Sequence, residues 1–276
     1  MEVSGLKSVK MVLPGFNKKY NCPEAVNSDR GFTLVEVMVA LAISGIVLAS
    51  IYSAFQSQQN SYVAQEQVSE MQQNVRIGLD MLSKDIRLAG YNPSGAAGIG
   101  FVFAGNFNGT AVTTNATQIA FTADLDGLGS IDAVALDLDG NGIDMADMEQ
   151  IAYRLNGTNL QRYSSVTGII TWQTIAENVE NIEFQYVLDD GSQTTTPTAA
   201  QLANIRNVRI SILVITEKSD KNYTNSRVYL PASNDPFFTS AGLSGTVWGP
   251  FTGTATVNFR RRLLKITVNC RNMGLV

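Results

Sequence analysis

An uninterrupted apolar run near the amino terminus constrains this chain more than any other feature of its sequence. Phe32 to Phe55 reads FTLVEVMVALAISGIVLASIYSAF, with one charged residue, Glu36, and no proline. At about 1.5 Å per residue, such a helix is roughly 36 Å long and can cross a hydrocarbon layer of about 30 Å. The run is too long for the core of a secretory signal peptide, so we expect it to stay attached to the product.

The charges around this run predict its orientation. Five of the first 31 residues are basic and three are acidic. By the positive-inside rule, the amino-terminal tail stays in the cytoplasm and everything after Phe55 lies outside. Without the first 31 residues the chain keeps 15 basic and 21 acidic side chains, a net charge of −6. General nucleic-acid binding is therefore not expected.

A helical pattern continues beyond the apolar run. Apolar residues recur at spacings of three and four and form a stripe along one helix face. Gly90 and Pro93 predict the end of the helix. We therefore predict one helix from Phe32 to about Ala89, whose soluble part, 56–90, uses the stripe to hold a sheet. The stripe consists of Val68, Met71, Val75, Leu79, Leu82 and Ile86.

After Tyr91 the pattern changes to short β-branched or aromatic segments separated by Gly, Asn and Asp. Asn156-Gly157 predicts a hairpin. The predicted fold class is α+β, with a long amino-terminal helix packed on a predominantly antiparallel β-sheet domain over 91–276. The predicted strands are 118–122, 151–155, 159–163, 169–175, 182–188, 208–216, 227–230 and 254–269.

The residue inventory argues against an enzyme. The chain has no histidine and two cysteines, Cys22 and Cys270. Serine–histidine and cysteine–histidine catalysis and the usual zinc ligands are thereby excluded. We expect Cys270 to be a packed, inert side chain. The alternative is an extracytoplasmic enzyme on a signal anchor, with carboxylates of the acidic loops as general acid and base.

The residues from Gly31 through Phe32 to Glu36 (GFTLVE), followed by the apolar run, resemble the class III signal of type IV prepilins and type II secretion pseudopilins. The resemblance implies that a prepilin peptidase cuts between Gly31 and Phe32, removes the leader 1–31 and methylates the new amino terminus of Phe32. Gly31 has no side chain to obstruct the peptidase. Translation from Met11 would shorten the leader, and the sequence leaves the start codon open.

Glu36 is a lone carboxylate just inside the apolar segment, where an uncompensated charge is costly. In a helix it lies near the freed α-amino group of Phe32 or that of a neighbour. The resemblance implies that Glu36 pairs with the amino terminus of an adjacent subunit and sets the register of assembly. The alternative is that Glu36 sits at the headgroup boundary of an ordinary anchor.

Three later blocks, 79–91, 204–214 and 260–272, look like PilW-type minor pilins. This narrower resemblance implies a minor pilin that helps to initiate a type IV pilus and ends at the cell surface. The implied partners are other pilins, prepilin peptidase, the inner-membrane assembly machinery and, before assembly, membrane lipid. A minor pseudopilin of type II secretion is the alternative. The single cysteine left after leader removal departs from pilins that close a carboxy-terminal loop with a disulfide.

Two acidic loops have the alternating Asp/Asn and Gly pattern of calcium loops, because such a turn can supply several of the six to eight oxygens that calcium needs. The alternative is a pair of solvated Asp-Gly turns. The candidate ligands are Asp124, Asp126, Asp132, Asp137, Asp139, Asn141 and Asp144.

The run of three arginines at 260–262 also has two interpretations. It could be a docking or DNA-contacting patch. We favour strand and edge residues that pair with carboxylates of the same acidic domain.

Overall fold

The structure is a computed structural model that describes residues 31–107, 110–125, 127, 150–166, 169–220, 223–238, 247–252 and 257–274. The chain forms two compact units, Met1–Gln56 and Ser57–Val276. One helix, α1, spans Leu34–Leu88. This confirms the predicted long helix, which begins two residues later and ends one residue earlier than expected.

The amino-terminal part of α1 is apolar and fully exposed. Every residue from Gly31 to Val63 is exposed. Among the described residues, α1 is the one helix long and apolar enough to cross a membrane, with a mean hydropathy of 2.4 over its most apolar window. Large exposed side chains such as Leu34, Leu41 and Ile46 would be unfavourable in water, so this surface needs lipid or protein around it.

The second part of α1 packs through the predicted stripe. Met71, Val75, Leu79, Leu82 and Ile86 are all buried, and Val68 is partly buried against the same core. Gly78 lies on this buried side, and a Cβ atom added there would be 3.0 Å from the Cβ of Ala176. The missing side chain therefore lets the helix approach a strand closely.

Two four-stranded antiparallel sheets and one hairpin make up the β-structure of the described residues. One sheet has the order β3-β4-β5-β6, the other has the order β10-β9-β7-β8, and β1 pairs with β2. A 3-10 helix, Ala199–Asn204, precedes β9. The strands are β1 Ala104–Phe107, β2 Thr110–Thr113, β3 Gln118–Thr122, β4 Gln150–Asn156, β5 Asn159–Val166, β6 Ile169–Ala176, β7 Val179–Leu188, β8 Gln193–Thr194, β9 Ile205–Ile215 and β10 Arg261–Asn269.

Six of the eight predicted strands and the Asn156-Gly157 hairpin are confirmed. The strand predicted at 227–230 is wrong, because only Tyr229 forms a β-bridge there, with Trp248. The strand predicted at 254–269 begins too early, at least over 257–260. That part folds as turns, and pairing with β9 starts at Arg261. The fold class is as predicted, a long helix packed on antiparallel sheets.

A partly buried charge cluster ties α1 to the first sheet. The Nε of Arg162 donates a hydrogen bond to Oδ2 of Asp85 at 2.7 Å, and the hydroxyl of Tyr153 donates to the same oxygen. The Arg162 and Asp85 side chains are 11% and 14% exposed. Burial, followed by the nearby Asp85 charge, raises the pKa of the Tyr153 hydroxyl, so Tyr153 acts as a neutral donor. The cluster fixes the helix on the sheet by three polar side chains.

The outer face of the second sheet carries residues 233–235, a part of the segment between β9 and β10. The N–H and hydroxyl of Ser233 donate to the two carboxylate oxygens of Glu183 at 3.1 and 2.8 Å. Asp235, in the same segment, pairs with Lys265. These contacts hold residues 233–235 on the outer face of the sheet. The helix α1 packs against the opposite face.

Two of the three clustered arginines pair with carboxylates of their own chain, as the favoured interpretation predicts. Arg261 contacts Glu180 through two nitrogens at 2.6 and 2.8 Å. Arg260 pairs with Asp220 at 2.7 Å. Arg262 is exposed, and no ion pair joins it to another described residue. The arginine run is therefore mainly structural, with one exposed guanidinium.

Candidate processing and assembly site

The Gly31–Phe32 peptide bond lies just outside the first turn of α1. Gly31, Phe32 and Thr33 are non-helical, and the helix begins at Leu34. Gly31 has open space around its Cα, since no heavy atom lies within 4 Å of an added Cβ. The Phe32 side chain is 88% exposed. A peptidase can therefore reach an irregular, uncrowded bond whose product begins directly before a helix.

Thr33 and Glu36 form a reciprocal cap at the start of the helix. The backbone N–H and the hydroxyl of Thr33 each donate to Oε2 of Glu36 at 2.9 Å. The N–H of Glu36 is 3.2 Å from the Thr33 hydroxyl oxygen. This is a capping box, in which a threonine and a glutamate three residues later satisfy free N–H groups of the first turn. Glu36 therefore has a partner in its own chain.

The surface around Glu36 is otherwise apolar. A shallow hollow beside its carboxylate is lined by Phe32, Val37, Ala40 and Leu41, together with Ser44. A carboxylate in such surroundings is stabilised by a cation and by hydrogen-bond donors. Cleavage after Gly31 would create a new cation, the α-amino group of Phe32, four residues before Glu36. The site thus combines an exposed Gly31–Phe32 bond, a helix cap and a carboxylate beside an apolar hollow.

Thr33 is a functional residue that the sequence reasoning did not assign. Its signal was present, because Thr33-x-x-Glu36 directly before an apolar run is the pattern of a capping box. The structure gives Thr33 a distinct task, which is to start the helix and orient the Glu36 carboxylate.

The structure places only one of the seven candidate calcium ligands. Asp124 is fully buried. Its Oδ1 accepts the N–H of Gly127 at 2.8 Å, and its Oδ2 accepts the hydroxyl of Ser94. These bonds give Asp124 a structural role in joining two loops. Asp126, Asp132, Asp137, Asp139, Asn141 and Asp144 lie outside the described residues, so calcium binding stays a prediction.

Cys270 is buried, with 2% of its surface exposed. Burial raises the pKa of its thiol to about 12, which keeps it protonated near neutral pH. The location matches the packed, inert side chain that the sequence predicts.

Comparisons with known proteins identify the family of this chain. A family profile described as "Prokaryotic N-terminal methylation motif" matches residues 26–52. A second profile, "Prepilin peptidase-dependent protein B", matches residues 64–230. The pilin-like protein PilA3 of Thermus thermophilus is 27% identical over 190 residues, covering 66% of this chain and 78% of the relative.

A solved structure of a type IV-like pilin from Thermus thermophilus covers 73% of this chain and 97% of its own, with 12% identity and a TM-score of 0.45. That structural similarity is too low to carry the assignment, which depends on the two sequence profiles. Together with the capped apolar helix, they define a type IV pilin-like protein with a prepilin methylation motif. The second profile covers more than half of the chain, and the protein belongs to the prepilin peptidase-dependent protein B family.

Proposed function

We propose that this chain is a minor pilin of a type IV pilus. Prepilin peptidase cuts after Gly31 and methylates Phe32. The segment 32–55 keeps the product in the inner membrane with its β-rich domain, 91–276, in the periplasm. The subunit then helps to initiate the pilus by helix–helix packing with other pilins, in contact with the inner-membrane assembly machinery. The observation that carries the proposal is the methylation motif at the start of an exposed apolar helix.

In this proposal Glu36 is the assembly contact. Its carboxylate is held by Thr33 within the chain and faces an apolar hollow. An amino terminus from an adjacent subunit would supply the positive charge that such a carboxylate lacks in lipid. The capping box positions the carboxylate before that amino terminus arrives.

The test is incorporation of Glu36→Ala into filaments. We expect the variant to be cleaved and kept in the membrane, but to be depleted in filaments sheared from the cell surface. Glu66→Ala is the matched control, since Glu66 is an exposed glutamate on the same helix, outside the apolar run. Equal incorporation of the two variants would favour an ordinary headgroup-boundary glutamate and contradict the proposal.

The choice between a pilus and a secretion pseudopilus needs a separate experiment. Deletion of the gene should abolish or reduce surface pili and leave type II secretion intact. Retained pili with blocked secretion would reverse the assignment within the superfamily.

We also propose a structural, non-enzymatic role and keep calcium as a separate hypothesis. Pilin-like families consist of structural proteins, and the acidic loops suit an ion better than acid–base chemistry. Calorimetry with calcium, against a chelator control, tests the hypothesis. The absence of binding heat at about millimolar calcium would reject it.

A further inference from the structure

One edge of the second sheet is formed by β10, which pairs with β9 alone in the part of the chain that the structure describes. All nine residues of β10 pair with β9, without a register shift. Among the described residues no backbone hydrogen bond reaches the other side of β10, where the Tyr229 hydroxyl donates to the carbonyl of Arg261 at 3.4 Å. An edge of this length, unbroken by a bulge or a proline, is a template for another strand.

The orientation of the free backbone groups follows from the register. Thr216 donates its N–H to the carbonyl of Arg260 at 3.0 Å, and Cys270 donates its N–H to the carbonyl of Arg206 at 2.9 Å. Both pairs continue the register of β9 and β10. Because hydrogen-bonded pairs alternate along an antiparallel ladder, the even-numbered residues of β10 direct their N–H and C=O groups to β9. The odd-numbered residues, including Lys265 and Thr267, direct theirs outward.

The core beneath this edge is incompletely covered. Ile210 and Ile212 of β9 are fully buried. Their partners on β10, Ile266 and Leu264, pack against the same core but are only partly buried. A strand added beside β10 would cover them and continue the sheet.

The same edge is positively charged on its helix-facing side. Arg262 lies on the face that carries Leu264 and Ile266, and it is exposed with no ion pair among the described residues. Arg260, directly before β10, lines a groove of about 450 Å³ together with the α1 face from Ser61 to Gln72. Arg260 is paired with Asp220 at 2.7 Å, so among the described residues Arg262 is the charge of this edge that has no ion pair. Acidic side chains would complement this edge, whereas basic ones would be repelled.

The other described edges are less suited to strand addition. The outer side of β3 is covered, since Val102 donates its N–H to Ala120 at 2.9 Å and Thr122 donates its N–H to Gly100 at 2.8 Å. The pairing of β5 with β6 has a register shift next to Leu160, an irregularity typical of protected edges. The edge strand β8 is only two residues long.

We propose that the β10 edge accepts an extended strand from another protein subunit, with an acidic residue opposite Arg262 and apolar residues over Leu264 and Ile266. The strand adds to the sheet through the outward backbone groups of the odd-numbered residues from Leu263 onward, and its acidic side chain faces Arg262. That this subunit is a neighbour in the filament depends on the proposed function, whereas the strand-accepting edge does not.

The test uses the full-length protein in detergent micelles and two fluorescent peptides of about eight residues, to match β10. Both peptides carry valine at the positions that face Leu264 and Ile266, and at the position that faces Arg262 one has glutamate and the other has lysine. In fluorescence anisotropy we expect the acidic peptide to bind about tenfold more tightly or better. Equal affinity for the two peptides, or no binding of either, would overturn the proposal.

Two variants and their matched controls locate the binding. Thr267→Pro removes one outward N–H and should weaken binding of the acidic peptide about fivefold or more, while Thr267→Ala should not. Arg262→Glu should reduce the preference for the acidic peptide, whereas the same change at another exposed arginine, Arg227→Glu, should not. Unchanged binding by a natively folded Thr267→Pro, or unchanged preference in Arg262→Glu, contradicts the edge site.

The amino-terminal mass of the same preparation, made in cells with prepilin peptidase, is scored separately. Correct cleavage without peptide binding rejects the strand-accepting edge alone. Peptide binding without cleavage after Gly31 rejects the proposed processing alone.

Discussion

Replacing Asp85 with alanine should be among the most destabilising single changes on α1. The Asp85 Oδ2 accepts hydrogen bonds from the Nε of Arg162 at 2.7 Å and from the Tyr153 hydroxyl. With side chains 11% and 14% exposed, Arg162 and Asp85 have little access to water. Removal of the carboxylate leaves a largely buried guanidinium and a buried hydroxyl without their acceptor. We therefore expect a loss of about 3–5 kcal/mol in the free energy of unfolding.

The chain supplies a matched control on the same helix. Asp80 pairs with Lys84 at 2.8 Å, but the two side chains are 63% and 70% exposed. Water and salt screen this pair, so Asp80→Ala should cost about 0.5 kcal/mol or less. Urea unfolding followed by circular dichroism, on a fragment that starts at Ser57 and retains the second compact unit, measures both variants. Equal losses for Asp85→Ala and Asp80→Ala would refute the argument from burial.

Two further predictions concern buried titratable groups in the second unit. Burial raises the pKa of Glu183 above its ordinary 4.5, against the opposing hydrogen bonds from Ser233. The folded state therefore holds this proton more tightly, and the stability contributed by Glu183 is full below pH 4.5 and falls as the pH rises through the raised pKa. Glu183→Gln should remove this loss of stability at higher pH. The measurement is the difference in unfolding free energy between wild type and variant, which should change with pH. Because burial raises the pKa of Cys270 to about 12, its thiol should resist Ellman's reagent in the native mature protein and react after unfolding in urea. A reactive native thiol would contradict that burial.

The long helix and its buried stripe could be predicted because spacings of three and four over residues 68–86 are a strong periodic signal. The processing motif is equally local, since Gly31 and Phe32 stand directly before the apolar run. The stripe and the processing motif each depend on residues that are close together in the sequence. Such local patterns can be recognised without knowledge of tertiary contacts.

Other features depend on contacts that sequence spacing does not show. The Asp85–Arg162 pair joins residues 77 positions apart, and no local pattern connects them. The strand β1, Ala104–Phe107, has the sequence AGNF and lacks β-branched residues, so only its pairing with β2 defines it. Conversely, 227–230 has strand-forming residues but a single bridge, at Tyr229. Whether these segments form strands depends on a partner strand in the fold and not on the intrinsic preference of their residues.

The most direct test of the central claim is the mass of the mature amino terminus, measured in cells that contain prepilin peptidase. The wild-type chain should begin at a methylated Phe32. Gly31→Val should remain uncleaved because its side chain obstructs the bond, while Gly45→Val, a change with equally open surroundings inside the apolar run, should be processed normally. A mature chain that starts at any other residue, or normal processing of Gly31→Val, would contradict the account.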